Sequence, residues 1–271
     1  MQRYKMHILG ARGTHSVSGQ EYLEFGGRTS CYVLKKDDHA IMLDCGTGMY
    51  QSKEILKDCK QVDIILSHLH YDHIIGLLKF VFPVGCTVNI YAEFEKWGGI
   101  DFFKGFFEVP FWPVSPGDFK YNDLKEKIQL RDDVSLELFS GNHPNYASIV
   151  RVELGDIGFC FATDYEHSDF VFPSKAIEGC SYLLYDGTFS PEEYDLYKGW
   201  GHSDWKHGNE IAKKYNVKNL LIIHHDPMKT DDDLNKLEKD AKAINKNINF
   251  ARENVTMDIV GDEEELKWAK K

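Results

Sequence analysis

The chain has 271 residues, 42% of them hydrophobic and 28% charged, and a formal net charge of −11 at pH 7. This composition is typical of a globular protein with a sizeable core, and no apolar run approaches the roughly 18 to 20 residues of a membrane span. Binding of a long nucleic acid depends on clustered Lys and Arg, so the acidic charge disfavours such a partner. A small anion stays possible, because bound divalent cations can dominate the local field.

The N-terminus and the cysteines predict a cytoplasmic protein. Residues 1–5 lead into only a short apolar strand and do not form a secretory signal. The six cysteines are scattered without CxxC spacing, as small buried hydrophobic residues are in a reducing compartment. We therefore expect no disulfide framework.

The first elements are short strands that end in turns. Residues 6–10, 26–34 and 40–45 predict strands, and the third closes on a glycine loop that contains Asp44. Residues 51–57 predict a short helix before the next strand.

The densest group of metal-binding side chains follows the apolar residues 62–66, which predict a buried strand. His68 and His70 are two positions apart, so their side chains can leave an extended chain on the same side. Asp72 and His73 fall in the following loop or first helical turn. Imidazole and carboxylate both suit zinc and similar divalent ions, so this density predicts a metal centre.

An aromatic-rich insertion occupies about residues 95–120. Residues 97–113 place seven aromatics among glycines and prolines, a pattern too irregular to predict a helix or a paired strand. We favour a packing cluster for this segment, and we keep a mobile cover over the site and a contact in a homodimer as alternatives.

Three later strands deliver further polar residues at their ends. The strand predicted at 134–139 precedes His143, and a hairpin of 148–154 and 158–162 leads to Asp164. A carboxylate at such a place can bridge two metals, because each oxygen offers lone pairs to a different ion. The strand at 182–186 ends in Asp186, for which we favour a turn-forming role over support of the site.

The C-terminal part contributes His202 and a pair of histidines. His202 precedes an amphipathic helix predicted at 206–215, and Ser203 or Asp204 can cap that helix, whose N-terminus attracts anions. The strand at 220–223 ends in His224 and His225, whose side chains diverge along an extended chain. We therefore expect one of the two, not both, to bind a given ion.

The motif His68-x-His70-x-Asp72-His73 after a hydrophobic strand resembles the signature of the metallo-β-lactamase superfamily of metallohydrolases. The resemblance covers nearly the whole chain. It implies an α/β (α+β) fold, a four-layer αββα sandwich of two mixed sheets packed face to face with helices outside. We expect a single domain over residues 1–271. The later residues that follow in the family's order are His143, Asp164, His202 and His224.

The resemblance also implies two metal sites. It assigns His68, His70 and His143 to one ion and Asp72, His73 and His224 to the other, with Asp164 as the bridge and His224 favoured over His225. We expect two divalent ions, zinc first, with manganese or iron possible. Two ions about 3.5 to 4 Å apart can share a hydroxide and clamp both oxygens of an in-line displacement. Similar proteins hold the metal-binding loop from behind with an acid at the position of Asp44, although a simple turn-forming role stays open.

The implied branch is that of cyclic phosphodiesterase and ribonuclease-Z-like proteins, because similar members carry Gly-His-Ser at 201–203 facing the substrate phosphate. His202 would then be catalytic, and Asp72 would orient the bridging water or accept its proton. The leading hypothesis is a dinuclear phosphodiesterase for a small anionic (cyclic) phosphodiester or nucleotide. A thioester or lactone hydrolase and a non-hydrolytic di-iron sensor are the alternatives. No Gly/Pro-rich arm for gripping RNA is visible, which weakens tRNA processing as the function.

Overall fold

A computed structural model describes residues 3–78, 82–112, 118–167, 171–260 and, for the backbone, 268–270. Fifteen strands in these ranges form two sheets. In chain order they are β1 (Lys5–Gly10), β2 (Cys31–Lys36), β3 (His39–Leu43), β4 (Gln61–Ile65), β5 (Thr87–Ala92), β6 (Lys120–Asp123), β7 (Ile128–Arg131), β8 (Val134–Ser140), β9 (Ser148–Leu154), β10 (Ile157–Ala162), β11 (Cys180–Asp186), β12 (Asn219–Ile223), β13 (Ile248–Phe250), β14 (Val255–Asp258) and β15 (Trp268–Lys270).

Both sheets are mixed, as predicted. The first has the order β15-β14-β1-β2-β3-β4-β5-β6, antiparallel from β15 to β3 and parallel from β3 to β6. The second has the order β13-β12-β11-β10-β9-β8-β7, parallel from β13 to β10 and antiparallel from β10 to β7. Parallel neighbours end at the same edge, which brings the residues after β3 and β4, and those after β10, β11 and β12, to common edges.

Successive side chains of the strands pack alternately against the other sheet and against the outer helices, so each sheet is buried on both faces. In β11, Tyr182 and Leu184 join the core shared by the two sheets, whereas Leu183 and Tyr185 face the helices. Successive side chains of a strand point to opposite faces, so a continuous apolar run is buried on both sides. The same division holds in β2, where Tyr32 lies in the shared core.

Six α-helices of the described residues cover the outer faces. Those of the first half contribute Leu56, Ile74 and Phe103 to a cluster on the first sheet, and those of the second half contribute Ala212 and Leu234 to a cluster on the second sheet. The predicted four-layer αββα sandwich is therefore confirmed. The helices are α1 (Lys53–Leu56), α2 (Tyr71–Ile74), α3 (Ile100–Gly105), α4 (Ser174–Ile177), α5 (Trp205–Lys214) and α6 (Asp231–Ile244), with short 3-10 helices at Gln20–Tyr22, Thr47–Gln51, Ile75–Leu78, Phe94–Trp97 and Tyr194–Leu196.

The aromatic-rich insertion differs in part from its prediction. It contains the helix α3, whose buried residue Phe103 packs on Phe107 of the following turn with ring centroids 5.2 Å apart. Phe102 and Phe111 are exposed. Residues 113–117 lie outside the described ranges, and the single domain, the cover and the homodimer contact stay predictions.

None of the helices in the described ranges combines the length and the apolar character that crossing a membrane requires. All six cysteines, each within those ranges, are free thiols. The cytoplasmic location stays a prediction.

Candidate metal centre

The predicted site residues converge where strands of both sheets end. Asp44 follows β3, Asp164 comes two residues after β10, and His224 follows β12. All three have left-handed backbone, with φ of 58°, 47° and 57°. Positive φ is uncommon outside glycine and concentrates at functional sites, because the surrounding structure must hold it in place. These turns direct the three side chains toward the edge where strands of both sheets end, which we call the rim.

A first group of donors consists of His68, His70, His143 and one oxygen of Asp164. All four ligand atoms lie within 4.8 Å of one another. Asp164 Oδ2 is 3.5 Å from His68 Nε2 and 3.8 Å from His143 Nε2. His143 Nε2 is 3.4 Å from His70 Nδ1. These separations are those of ligands around one ion.

A second group consists of Asp72, His73 and His224. Asp72 Oδ2 lies 3.1 Å from His73 Nε2 and 3.3 Å from His224 Nε2. The second oxygen of Asp164, Oδ1, is 3.2 Å from His73 Nε2 and 3.0 Å from His224 Nε2. The two oxygens of Asp164 thus face different groups, as a bridging carboxylate requires.

The choice between the two C-terminal histidines follows from where their rings point. His224 faces the donors, whereas the Nε2–H of His225 donates to the carbonyl of Ala251 at 2.9 Å. The His225 ring packs between Phe25 and Phe250, away from the rim. The structure therefore brings His224 to the candidate centre and leaves His225 in the core.

Hydrogen bonds fix which ring nitrogen faces the centre. The Nδ1–H groups of His73 and His143 donate to Asp44 Oδ2 at 2.6 Å and to the Gly201 carbonyl at 2.9 Å. Such partners orient metal-ligating imidazoles and leave the Nε2 lone pair for the ion. Nε2 of His68 is fully buried and makes no hydrogen bond to the described part of the chain. These residues fit a metal ion.

The charge of the site also favours cations. Asp72 and Asp164 are buried, which raises a carboxyl pKa, but the neighbouring histidines outweigh burial and hold both pKa values below the ordinary range. Burial lowers the pKa of His68 and of His143, so both are neutral, as ligands must be. Buried carboxylates cost several kcal/mol each unless positive charge compensates them.

His202 lies beside the donors and is held by Asp186. Its Nδ1–H donates to Asp186 Oδ2 at 2.9 Å, and its ring stacks on His224 with centroids 4.9 Å apart. Burial lowers the pKa of His202, but the Asp186 carboxylate outweighs burial and raises it to about 9. Asp186 also accepts the N–H of Thr188 at 3.0 Å. The turn-forming role favoured for Asp186 is thus present, but the residue supports the site as well.

Sequence reasoning missed Glu166, and it quoted Gly201 only as part of the Gly-His-Ser motif, without a role of its own. Glu166 accepts the N–H groups of Gly199 and Gly201 at 2.7 and 2.9 Å, which fixes the loop before His202. Gly201 has a φ of 90°, and a Cβ there would lie 2.1 Å from Nδ1 of His143. The glycines on either side of position 200 were the available signal for Gly201, whereas nothing in the spacing of Glu166 indicates its partners.

A cavity of about 780 Å³ opens over the centre. Its floor includes Asp72, Asp164 and His224, and its described lining contains no Lys or Arg. The walls are largely aromatic and apolar, with Tyr71, Phe106, Phe189, Tyr197, Trp200 and Met228 among them.

A further cluster of His167, Asp204 and His207 lies outside this cavity. The Oδ1 atom of Asp204 caps α5 by accepting the N–H groups of Lys206 and His207, and its Oδ2 is 3.5 Å from both histidines. The two imidazole rings stack with centroids 3.2 Å apart at 20°. Nδ1 of His167 is 2.5 Å from Ser203 Oγ, next to His202.

The family model described as Metallo-beta-lactamase superfamily matches residues 25–180, more than half of the chain. The chain belongs to the metallo-beta-lactamase superfamily. The resemblance seen in the 68–73 motif is therefore confirmed.

Curated relatives carry the name Ribonuclease Z. The one from Phocaeicola vulgatus is 25% identical over 315 aligned residues, which cover 96% of this chain and 98% of the relative. The one from Archaeoglobus fulgidus is 25% identical, with 96% and 99% covered. Together with the superfamily membership, these relatives confirm the predicted class, a metal-dependent hydrolase of the phosphodiesterase type.

Solved structures of the superfamily share the fold. The metallo-beta-lactamase fold protein YhfI from Bacillus subtilis matches with a TM-score of 0.70 at 18% identity, covering 94% of this chain and 99% of that one. The short form of human tRNase Z matches with a TM-score of 0.67 at 16% identity, covering 95% and 100%.

The expectation that a long nucleic acid is disfavoured as a partner is wrong. Full-length relatives named Ribonuclease Z contradict it. The net charge of −11 is a property of the whole chain. A phosphate near the donors would experience the local field, which bound divalent cations can dominate.

Proposed function

We propose that this protein is a dinuclear metal-dependent phosphodiesterase that cleaves a phosphodiester bond of RNA. The observation that carries the proposal is the division of seven donors into two groups that share Asp164. The relatives named Ribonuclease Z supply the substrate class. The fold and the donors alone would equally suit a phosphodiester of another kind.

The first group, His68, His70 and His143, would hold one ion, and Asp72, His73 and His224 would hold the other, with Asp164 between them. A ligand set made only of histidines and carboxylates favours zinc and can also bind manganese or iron. Such ions, when bound, lower the pKa of water and compensate charge on the phosphoryl oxygens.

Asp72 would act as the proton acceptor for the attacking water. Its pKa lies below the ordinary range, so it is ionised at neutral pH. The backbone N–H of Thr14 donates to its Oδ2 at 2.7 Å, which fixes the carboxylate in the cavity floor.

His202 would act as the proton donor to the leaving oxygen. With a pKa of about 9 it carries a proton at neutral pH, and its Nδ1–H is held by Asp186, so Nε2–H is the group available to substrate. General acid catalysis of this kind contributes roughly 10²- to 10⁴-fold.

The test is a comparison of substrates with the metal-loaded protein. An RNA hairpin with a single-stranded 3′ extension, bis-p-nitrophenyl phosphate, a cyclic nucleotide and a thioester are assayed in parallel. We expect cleavage of the RNA, at a position that mapping of the products defines. Turnover of the thioester alone would overturn the phosphodiesterase, and binding of iron without any turnover would favour the sensor. Hydrolysis of only the small phosphodiesters would remove RNA from the proposal.

A further inference from the structure

An unusual feature of the cavity is a series of rings that leads outward from the metal centre. His202 lies with its ring centroid 5.9 Å from that of Phe189. Phe189 stacks on Tyr197 at 4.7 Å and 10°, and Tyr197 meets Trp200 edge to face at 5.2 Å. The series starts at His202 and ends at Trp200, and all four residues line the cavity.

Trp200 at the end of this series is 64% exposed. Its backbone is nevertheless fixed, because Glu166, itself buried, accepts the N–H groups of both flanking residues, Gly199 and Gly201. The Trp200 N–H also donates to the Tyr197 carbonyl at 3.1 Å. Trp200 thus presents a large aromatic side chain to water from a fixed backbone, next to the other rings of the cavity wall.

The chemistry of the walls limits what that ligand group can be. No Lys or Arg occurs in the described lining, and His202 already serves the scissile phosphate in the proposed function, so a second phosphate would find no further strongly basic side chain there. Exposed aromatic faces instead match a flat uncharged ring. Stacking of a nucleobase on such a face is tolerant of sequence and common in sites for single-stranded nucleic acids.

We propose that Trp200, backed by Tyr197, is a base-stacking subsite for the nucleobase next to the scissile phosphate on the side of His202. The inference rests on the proposed function, which it deepens by naming a contact to the substrate. Phe189 would form the inner end of the same wall.

The experiment compares the Trp200→Ala variant with wild type on two RNA substrates, one intact and one abasic at the nucleotide next to the scissile phosphate. We expect Trp200→Ala to raise KM for the intact RNA about 10-fold. The KM for the abasic RNA and the kcat for both should change little. Trp200→Phe should retain most of the affinity, because it keeps an aromatic face.

Leu196→Ala is the matched control, since Leu196 is 77% exposed at the end of the 3-10 helix just before Trp200 and is not among the residues that line the cavity. Equal effects of Trp200→Ala on intact and abasic RNA, or no effect on either, would overturn the subsite while leaving the RNA cleavage intact. If wild type fails to cleave RNA, the proposed function has failed separately. The subsite is then tested by comparing kcat/KM for a nucleoside p-nitrophenyl phosphodiester with that for the analogue in which a methyl group replaces the nucleoside. A preference for the nucleoside that Trp200→Ala does not reduce would overturn it.

Discussion

Two clusters of imidazoles and carboxylates lie near each other in this protein, and they differ in how their rings are arranged. Two imidazoles that bind one zinc ion at about 2.0 to 2.1 Å place their ring centroids roughly 5 Å apart. His68 and His70 both lie 5.1 Å from His143 by this measure. His167 and His207 are stacked at 3.2 Å, so no ion can lie in the plane of both rings.

The difference teaches that donors within reach of one another do not by themselves make a metal site. One oxygen of Asp204 accepts the backbone hydrogen bonds that cap α5, whereas both oxygens of Asp164 face imidazole nitrogens. His167 instead touches Ser203, next to His202. We interpret the outer cluster, His167, Asp204 and His207, as support for the loop that carries the proposed acid His202. We interpret the inner cluster, the seven donors that include Asp164, as the metal centre.

The strongest test of the different roles of the two clusters is the same substitution, aspartate to asparagine, in each of them. Asp164→Asn removes the charge shared by the two donor groups and should lower kcat/KM by about a thousandfold or more, since a metal ion contributes several kcal/mol of transition-state stabilisation. Asp204→Asn should keep activity, because asparagine caps a helix as well as aspartate does. Kinetics on bis-p-nitrophenyl phosphate measure both. Equal losses in the two variants would contradict the division of roles.

The proposed acid can be separated from the ligands. His202→Gln should lower kcat by about 100-fold or more while bound metal stays unchanged, because in the proposed mechanism the residue transfers a proton and holds no ion. His207→Gln in the outer cluster is the control and should have little effect on kcat. Loss of metal from His202→Gln, measured by elemental analysis, would show that His202 is a ligand instead.

The pH profile tests why His202 is protonated. In wild type, kcat should fall as pH rises through about 9, since His202 loses its proton there. Asp186→Asn removes the main interaction that raises this pKa, while burial continues to lower it, so the fall should begin at lower pH. The Asn carbonyl can still accept the Thr188 N–H that Asp186 accepts. An alkaline limb that does not move in Asp186→Asn would exclude His202 as the group that titrates.

A smaller effect is expected from His225, a buried histidine in neither cluster. Burial, with the nearby charge of Arg12, lowers its pKa to about 3. In the unfolded chain His225 has its ordinary pKa near 6.5. Below that pH the unfolded chain therefore binds more protons than the folded chain, and the free energy of unfolding falls as pH decreases. At pH 5 the loss is about 2 kcal/mol. His225→Phe should show a shallower decline of the free energy of unfolding between pH 7 and 5, measured by urea titration; parallel curves would contradict this assignment.

Much of this architecture could be predicted from the sequence. The ligand motif at 68–73 and the residues His143 and Asp164 stand out because each follows an apolar strand and so belongs to an edge. The short strands β6, β7 and β13 carry too few residues for a clear period, and sheet pairing stabilises them instead.

The rest of the site depends on contacts that spacing does not encode. Glu166 acts through two backbone amides more than thirty residues away, and Asp186 accepts a hydrogen bond from His202, 16 residues away. The acidic net charge misled the choice of partner, because total charge does not report the field at one rim.

The most direct test of the account is the number of metal ions bound per chain in wild type, Asp164→Asn and Asp204→Asn, measured by elemental analysis after zinc loading and removal of free ions. We predict about two ions in wild type and in Asp204→Asn, and fewer in Asp164→Asn. One ion or none in wild type, or loss of an ion from Asp204→Asn with none lost from Asp164→Asn, would contradict the dinuclear centre at the rim.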